Sequence, residues 1–228
     1  MRLLTLLLLF SPLADDDQKR QEAVEKFAEV QAENRKTFHG YRWNQREEVF
    51  LNRERRARRS FLLQLDKEGK LTSTLQSSAL IKPRHPKLKL TYTPADKKRD
   101  TELIDWVEAA EGVLREYVYY PTAKMTAALK GAKIEQGTGS YEHAVIAGAT
   151  SFLHPGDTVR VWIDPKTLRP IRMEYTTRVK GEPVRGRVSY ELLADTESYY
   201  PWRAELSSAR RKIQLKLENH TLQAPAKK

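Results

Sequence analysis

Ile171-Arg172-Met173-Glu174-Tyr175-Thr176-Thr177-Arg178-Val179-Lys180 is the most regular run in the chain. Ile171, Met173, Tyr175, Thr177 and Val179 alternate with Arg172, Glu174, Thr176, Arg178 and Lys180, and a period of two sends the sets to opposite faces of a strand. Beyond a turn at Gly181-Glu182-Pro183 the pattern repeats, with Val184, Val188, Tyr190 and Leu192 on the apolar side and Arg185, Arg187 and Glu191 opposite. Gly186 falls on the apolar side, where a missing side chain leaves a gap or marks a bulge. Trp202, Ala204 and Leu206 continue that face, and Ile213, Leu215 and Leu217 complete it after a turn at Ser207-Ser208-Ala209. The stretch from Asp157 to Leu222 therefore reads as five consecutive antiparallel strands, greasy on one side and a lattice of Arg, Lys and Glu on the other. A sheet that is dry on one side must cover it with helices, a second sheet or a ligand.

Working outward, Asp15 to Asp17 supply acidic caps for a helix running to about Arg35, with Ala23, Phe27 and Val30 on one apolar stripe beside Val24 and Ala28. From Thr37 to Leu51 the period becomes two, with either face assignable inward. The basic segment Asn52 to Arg59 reads as a solvated hairpin tip. Phe61, Leu63 and Leu65 lead to a turn at Asp66-Lys67-Glu68-Gly69, from which Leu71, Ser73 and Leu75 return. Between Gln76 and Asp100 a proline-bearing basic loop is expected. Asp100 or Thr101 then caps a helix carrying Leu103, Val107, Ala110, Leu114 and Tyr117 at helical spacing, stopped by Pro121. A second short helix is expected from about Thr122 to Lys130, with strands resuming near Ile134 and from Tyr141 to Ala147. The fold class is α+β, a curved antiparallel sheet whose concave face is covered by one N-terminal helix and two mid-chain helices.

The totals fit one domain. The 228 residues suffice for a sizeable core, and 39% hydrophobic with 31% charged residues is a globular balance. A formal net charge of +11 favours anionic partners in general. Because the basic residues alternate with Glu along strands, a solvated face is the simpler account, and no nucleic-acid partner is expected. The absence of cysteine removes disulfides, thiolate metal sites and Cys nucleophiles. Met1-Arg2 followed by Leu3 to Phe10 has a charged start and a short apolar run, which reads as a secretory signal removed near Ala14, the alternative being an uncleaved anchor because Pro12 suits a cleavage site poorly. The expectation is a signal segment over residues 1–14, a single domain over 15–228, and export to the periplasm as a monomer.

Catalytic patterns are not found. His39, His85, His143, His154 and His220 occur singly, without metal-ligand spacing. Gly137-Thr138-Gly139-Ser140 lacks the Gly-Lys-Ser/Thr of a phosphate loop, and there is no Gly-x-Ser-x-Gly elbow. Neither an enzyme nor a cofactor is expected. The residues assigned to an apolar cavity are Tyr41, Trp43, Trp106, Leu114, Met125, Met173, Tyr175, Tyr190 and Trp202, the alternative for each being ordinary core. Tyr117 to Pro121 and Tyr199 to Trp202 are aromatic element ends that form either a cavity mouth or packed corners.

The order of elements, with the hairpin Trp162-Ile163-Asp164-Pro165-Lys166-Thr167-Leu168-Arg169-Pro170-Ile171-Arg172, resembles the periplasmic outer-membrane lipoprotein carriers of the LolA type and the related RseB-type sensors. The resemblance implies an unclosed half-barrel lidded by helices, receiving acyl chains of a lipid or acylated protein and making transient contact with the envelope membrane. It carries over no functional residue, since no position here matches the arginine that the family associates with a closed lid. Three readings follow. The first is a lipid or lipoprotein carrier, the second an envelope interaction or sensor module with a filled core, and the third a polyanion-binding envelope protein.

Overall fold

The structure is a computed structural model that describes residues 17–66, 70–80, 94–120, 124, 127, 132–136, 144–150, 152–164, 166–193 and 198–224. The N-terminal leader, Met125 and nearly all of the expected short helix from Thr122 to Lys130 lie outside the described residues.

Helix α1 (Asp17–Thr37) is followed by β1 (Arg42–Leu51), β2 (Glu54–Leu65) and β3 (Leu71–Leu80), then by helix α2 (Pro94–Val118). The chain continues with β4 (Lys133–Gln136), β5 (Ala144–Thr150), β6 (Thr158–Ile163), β7 (Pro170–Val179), β8 (Glu182–Leu192), β9 (Tyr199–Ser208) and β10 (Ile213–Gln223). All ten strands join one antiparallel sheet in the order β3-β2-β1-β10-β9-β8-β7-β6-β5-β4, whose two ends do not pair, so it stays unclosed. β1 beside β10 is the one non-sequential neighbour. It ties the N-terminal three-stranded piece to the C-terminal meander.

The five strands expected between Asp157 and Leu222 are β6 to β10, and their faces are as expected except at the end of β8. Met173, Tyr175, Thr177, Val179, Val184, Val188, Ala204, Leu206, Ile213, Leu215 and Leu217 are buried. Both helices lie on this inner face, where Val24 and Phe27 of α1 and Trp106, Ala110, Leu114 and Tyr117 of α2 join the strand residues in one core. A smaller apolar cluster gathers Phe38, Trp43, Phe61, Leu63 and Leu65 at the β1–β2 side.

Several local expectations are corrected. Asn52 and Arg53 both have positive φ (51° and 67°), as a two-residue type I′ turn requires, so β2 starts at Glu54 and most of the segment expected as a hairpin tip is strand. Lys180 and Gly181 (φ 48° and 80°) make the same kind of turn between β7 and β8, one residue earlier than the expected Gly-Glu-Pro. A register shift between Ser189 and Tyr190 breaks the alternation, leaving Leu192 exposed rather than on the apolar side. Helix α2 begins at Pro94 instead of near Thr101; proline fits the first helical turn, where its missing N–H goes unmissed.

The outer face is ordered by charge. Arg160, Glu174, Arg187, Glu205, Lys216, Glu48 and Arg58 stand in register across β6, β7, β8, β9, β10, β1 and β2, alternating in sign at every step. Directly opposed unlike charges each contribute about 0.2–1 kcal/mol, so the three carboxylates of this row offset three of its four cations within the sheet itself. In the next row Arg172 lies over the Trp162 ring at 4.0 Å, and Glu218 binds Arg203 at 2.7 Å and also Arg46.

Candidate ligand-binding site

The inner face is not uniformly filled. Beneath α2 it is a packed centre. The rings of Tyr117 and Tyr175 stack in parallel at 3.6 Å, and this pair occupies the space that Gly186 leaves open: a Cβ added at Gly186 would lie 2.0 Å from Cζ of Tyr175. The Tyr117 hydroxyl donates to Asp157, which is buried at the start of β6. The Asp157 carboxylate also accepts from Thr177 Oγ1 at 2.7 Å, the His154 amide at 2.7 Å and the Leu153 amide at 3.2 Å, so this buried carboxylate has four donors. Burial first, then the Asp157 bond, raises the Tyr117 phenol well above its ordinary range.

Beside this centre, where the two apolar clusters meet, lies a hollow of about 110 Å³. Its walls are Phe38, Trp43, Leu65, Val118, Tyr119, Tyr120, Tyr190, Tyr199, Tyr200, Pro201 and Leu222, with Gln31, Asn34 and Arg35 from the last turns of α1 and Asn219 from β10. The chain builds it from element ends. Helix α1 is fixed there by Asn34, whose side chain donates to the Tyr199 carbonyl at 2.7 Å and accepts from the Tyr199 amide at 2.8 Å. Arg35 donates to the Tyr120 carbonyl at 2.6 Å, holding the segment that leaves α2 against the same helix.

One side of the hollow is polar and hydrogen-bonded around Asn219, with Gln45 Oε1 left without a partner among the described residues. Asn219 Oδ1 accepts from Gln45 at 2.9 Å, Trp43 Nε1 at 3.2 Å and the Tyr119 hydroxyl at 3.2 Å, while Asn219 Nδ2 donates to the Pro201 carbonyl at 2.6 Å. The other side is a tyrosine group. Tyr120 donates to Gln31 Oε1 at 3.3 Å, and Tyr190 meets Tyr199 edge to face at 6.0 Å. The hydroxyls of Tyr190 and Tyr199 lie close to Tyr120 and Gln31 but stop short of hydrogen-bond geometry. Burial pushes Tyr119 and Tyr120 up to about 12, and raises Tyr190 and Tyr199 as well. These phenols are neutral at any physiological pH, so among the described residues of the lining Arg35 alone carries a charge.

Next to it, α2 is tied to the sheet by charge. Arg115 grips Glu47 at 2.9 and 2.6 Å and lies 4.7 Å over the Phe61 ring, while Arg59 binds Glu111 and approaches Glu47 at 3.5 Å. Glu47 points to the inner face of β1, and an unpaired charge there would be costly, which makes Arg115 the partner that permits it.

Of the residues assigned to a cavity from sequence, Trp43 and Tyr190 line the hollow, and Tyr41 borders it through the Phe38 cluster. Trp106, Leu114, Met173 and Tyr175 sit in the packed centre. Trp202 is half-buried with the Arg203 guanidinium 4.3 Å over its ring. Of the lining residues absent from that assignment, Val118, Tyr119, Tyr120, Tyr199, Tyr200 and Pro201 belong to the two aromatic element ends, whereas Gln31, Asn34, Arg35, Phe38, Leu65, Asn219 and Leu222 do not. That clustering at helix and strand ends was the available signal. Among the described residues no group of three or more His, Cys, Asp or Glu could hold a metal.

No family model matches the chain, and no curated protein matches it. Among the solved structures similar to it are the following three. A LolA superfamily protein from Nitrosomonas europaea is 12% identical, with 90% of this chain and 94% of that one covered at a TM-score of 0.40. A DUF1329 family protein from Desulfovibrio piger is 8% identical, with 90% and 91% covered at a TM-score of 0.44. A protein domain from Vibrio parahaemolyticus named for outer membrane lipoprotein sorting is 11% identical, with 88% and 92% covered at a TM-score of 0.38.

Proposed function

We propose that this chain is a non-catalytic binding protein of the periplasm that takes the apolar end of a lipid or acylated protein into the tyrosine-lined hollow. The observation that carries the proposal is the hollow itself, a recess walled largely by rings and aliphatic side chains between helix ends and sheet, with Arg35 on its α1 side. A dry cavity of about 150 Å³ holds benzene, so a space of about 110 Å³ suits a smaller group, the terminal carbons of a single acyl chain. Each methylene taken from water is worth about 0.8 kcal/mol, which gives a few kcal/mol for such an insertion. The space between α2 and the meander, filled by Trp106, Leu114, Tyr117 and Tyr175, has no room for a whole chain, so the remainder of the ligand lies outside. Native mass spectrometry and solvent extraction of the purified protein should find a bound amphiphile, and Tyr199→Trp, which narrows the recess, should displace it. A protein that carries no amphiphile and takes up none from a mixture of fatty acids would defeat the reading.

The packed centre favours a second reading, an envelope interaction or sensor module in which the same fold binds a protein. Pull-downs would then recover one specific partner while lipid binding is absent.

A further inference from the structure

We propose a second binding site, on the opposite face of the sheet, for a ligand bearing a phosphate group. The alternating row of charges on the outer face ends before the hairpin end. One step toward that end, Arg185 of β8 stands in register with Thr176 on one side and Ser207 on the other, and Gln214 follows on β10; no carboxylate opposes it. Here the sheet forms a broad depression of about 1000 Å³ whose lining includes Arg53, Arg185 and Lys212 with the polar side chains of Asn52, Ser207 and Gln214. Among the described residues no Asp or Glu lines it, and these three cations make no ion pair. Three like charges from three strands or turns repel one another unless an anion lies between them.

The depression is also held in shape. Arg53 and Lys212 sit in tight turns with φ of 67° and 54°, and the Asn52 amide donates to the Lys212 carbonyl at 2.9 Å, which fastens one hairpin to the other. The cations therefore stand on rigid backbone and are exposed. A guanidinium pairs with phosphate in a fork geometry, and the neighbouring hydroxyl and amide groups supply further donors. None of this depends on the tyrosine-lined hollow, which is on the other face.

The test is titration of the purified protein with inorganic pyrophosphate and, separately, with vesicles of phosphatidylglycerol or phosphatidylcholine, at low and high salt. Binding of pyrophosphate marks a soluble phosphate ligand. Binding of phosphatidylglycerol vesicles alone marks a lipid headgroup as the source. Either should weaken as salt rises. The variant Arg53→Ser/Arg185→Ser should weaken binding by about tenfold or more, whereas Arg203→Ser, at an arginine already paired with Glu218, should change it by less than about twofold. Thermal melts check that all variants fold. Absence of binding to every probe, salt-insensitive binding, or equal losses in both variants would overturn the proposal, the last because it reports only net charge.

Discussion

The packed centre under α2 and the hollow under the end of α1 are two regions of one sheet face, a few strands apart, with opposite contents. In the centre, side chains alternate strictly and vary in size, so large rings find small neighbours. Tyr175 lies where Gly186 has no side chain, and Tyr117 lies on Tyr175. In the hollow, the sheet contributes Trp43, Leu65, Tyr190, Tyr199, Tyr200, Pro201, Asn219 and Leu222, most of them large or polar, with no Gly or Ala among them to receive a ring. Protein interiors reach crystal-like density only when shapes interdigitate. A set of rigid rings and amides held by their own hydrogen bonds leaves space over. The comparison separates residues that hold the fold from residues free to meet a ligand, and it can be broken.

The largest effect is expected at Met173. Met173→Asp puts an unpaired carboxylate into the filled centre and should cost about 4–5 kcal/mol, while Arg172→Asp, one position along and on the outer face, should stay within about 1 kcal/mol. Urea unfolding of the two variants checks this; similar losses would mean the faces are reversed. Next is Asp157→Ala, which strands the Tyr117 and Thr177 hydroxyls and two backbone amides together. A loss of about 3–4 kcal/mol is expected, with the hollow's ligand binding unaltered in the protein that remains folded.

Why the centre was legible in the sequence and the hollow was not follows from the same contrast. Period-two alternation placed Met173, Tyr175, Val184 and Val188 inward without reference to any other element, because, Thr177 and Gly186 apart, each inward residue is apolar and each outward one polar or small. On β1 the inward set Trp43, Gln45 and Glu47 has the polarity of an outer face, so alternation cannot choose between the sides. What licenses Glu47 inside is Arg115, 68 residues later on α2, and what makes Gln45 and Asn219 acceptable is their bond to each other across β1 and β10. Such choices are made by distant partners. The late assignment of α2 has a local cause, since Pro94-Ala95-Asp96-Lys97-Lys98-Arg99 reads as a polar loop even though it is the first turns of a helix.

High pH sharpens the comparison from the hollow's side. Tyr119 and Tyr120 ionise near 10 when unfolded and near 12 when folded, both because burial penalises the phenolate. A pKa raised by folding contributes stability in full below the unfolded value, and that contribution is lost as pH climbs through the folded one. Stability should therefore hold to about pH 10 and then fall, by about 2–3 kcal/mol for each tyrosine as pH reaches 12. Denaturant midpoints at neutral and alkaline pH measure it, and Tyr119→Phe should lessen the fall. A flat profile would mean that these phenols are solvated.

Gly186→Ala tests the centre by a single methyl group. The new Cβ meets the Tyr175 ring, which cannot retreat because Tyr117 lies against it, and a cost of about 2 kcal/mol is expected. The companion Gly186→Ala/Tyr175→Leu removes the opposing ring and should recover part of that loss. Without recovery, the strain would lie in the backbone rather than against the ring.

The smallest effect is the most specific to the hollow. Tyr199→Phe removes a buried hydroxyl that has no hydrogen-bond partner among the described residues, so stability should change by less than about 0.5 kcal/mol or rise slightly. Tyr120→Phe removes one that donates to Gln31 and should cost about 1 kcal/mol. If the two variants lose the same amount, Tyr199 shares the Gln31 bond in solution and the tyrosine group is a hydrogen-bonded network like the one around Asn219. If they differ as expected, the Tyr199 hydroxyl is a polar atom left over inside a mostly apolar recess. A ligand that carries one hydroxyl or carbonyl near its buried end would then bind more tightly than a plain hydrocarbon, and Tyr199→Phe would erase that preference while leaving affinity for the hydrocarbon unchanged.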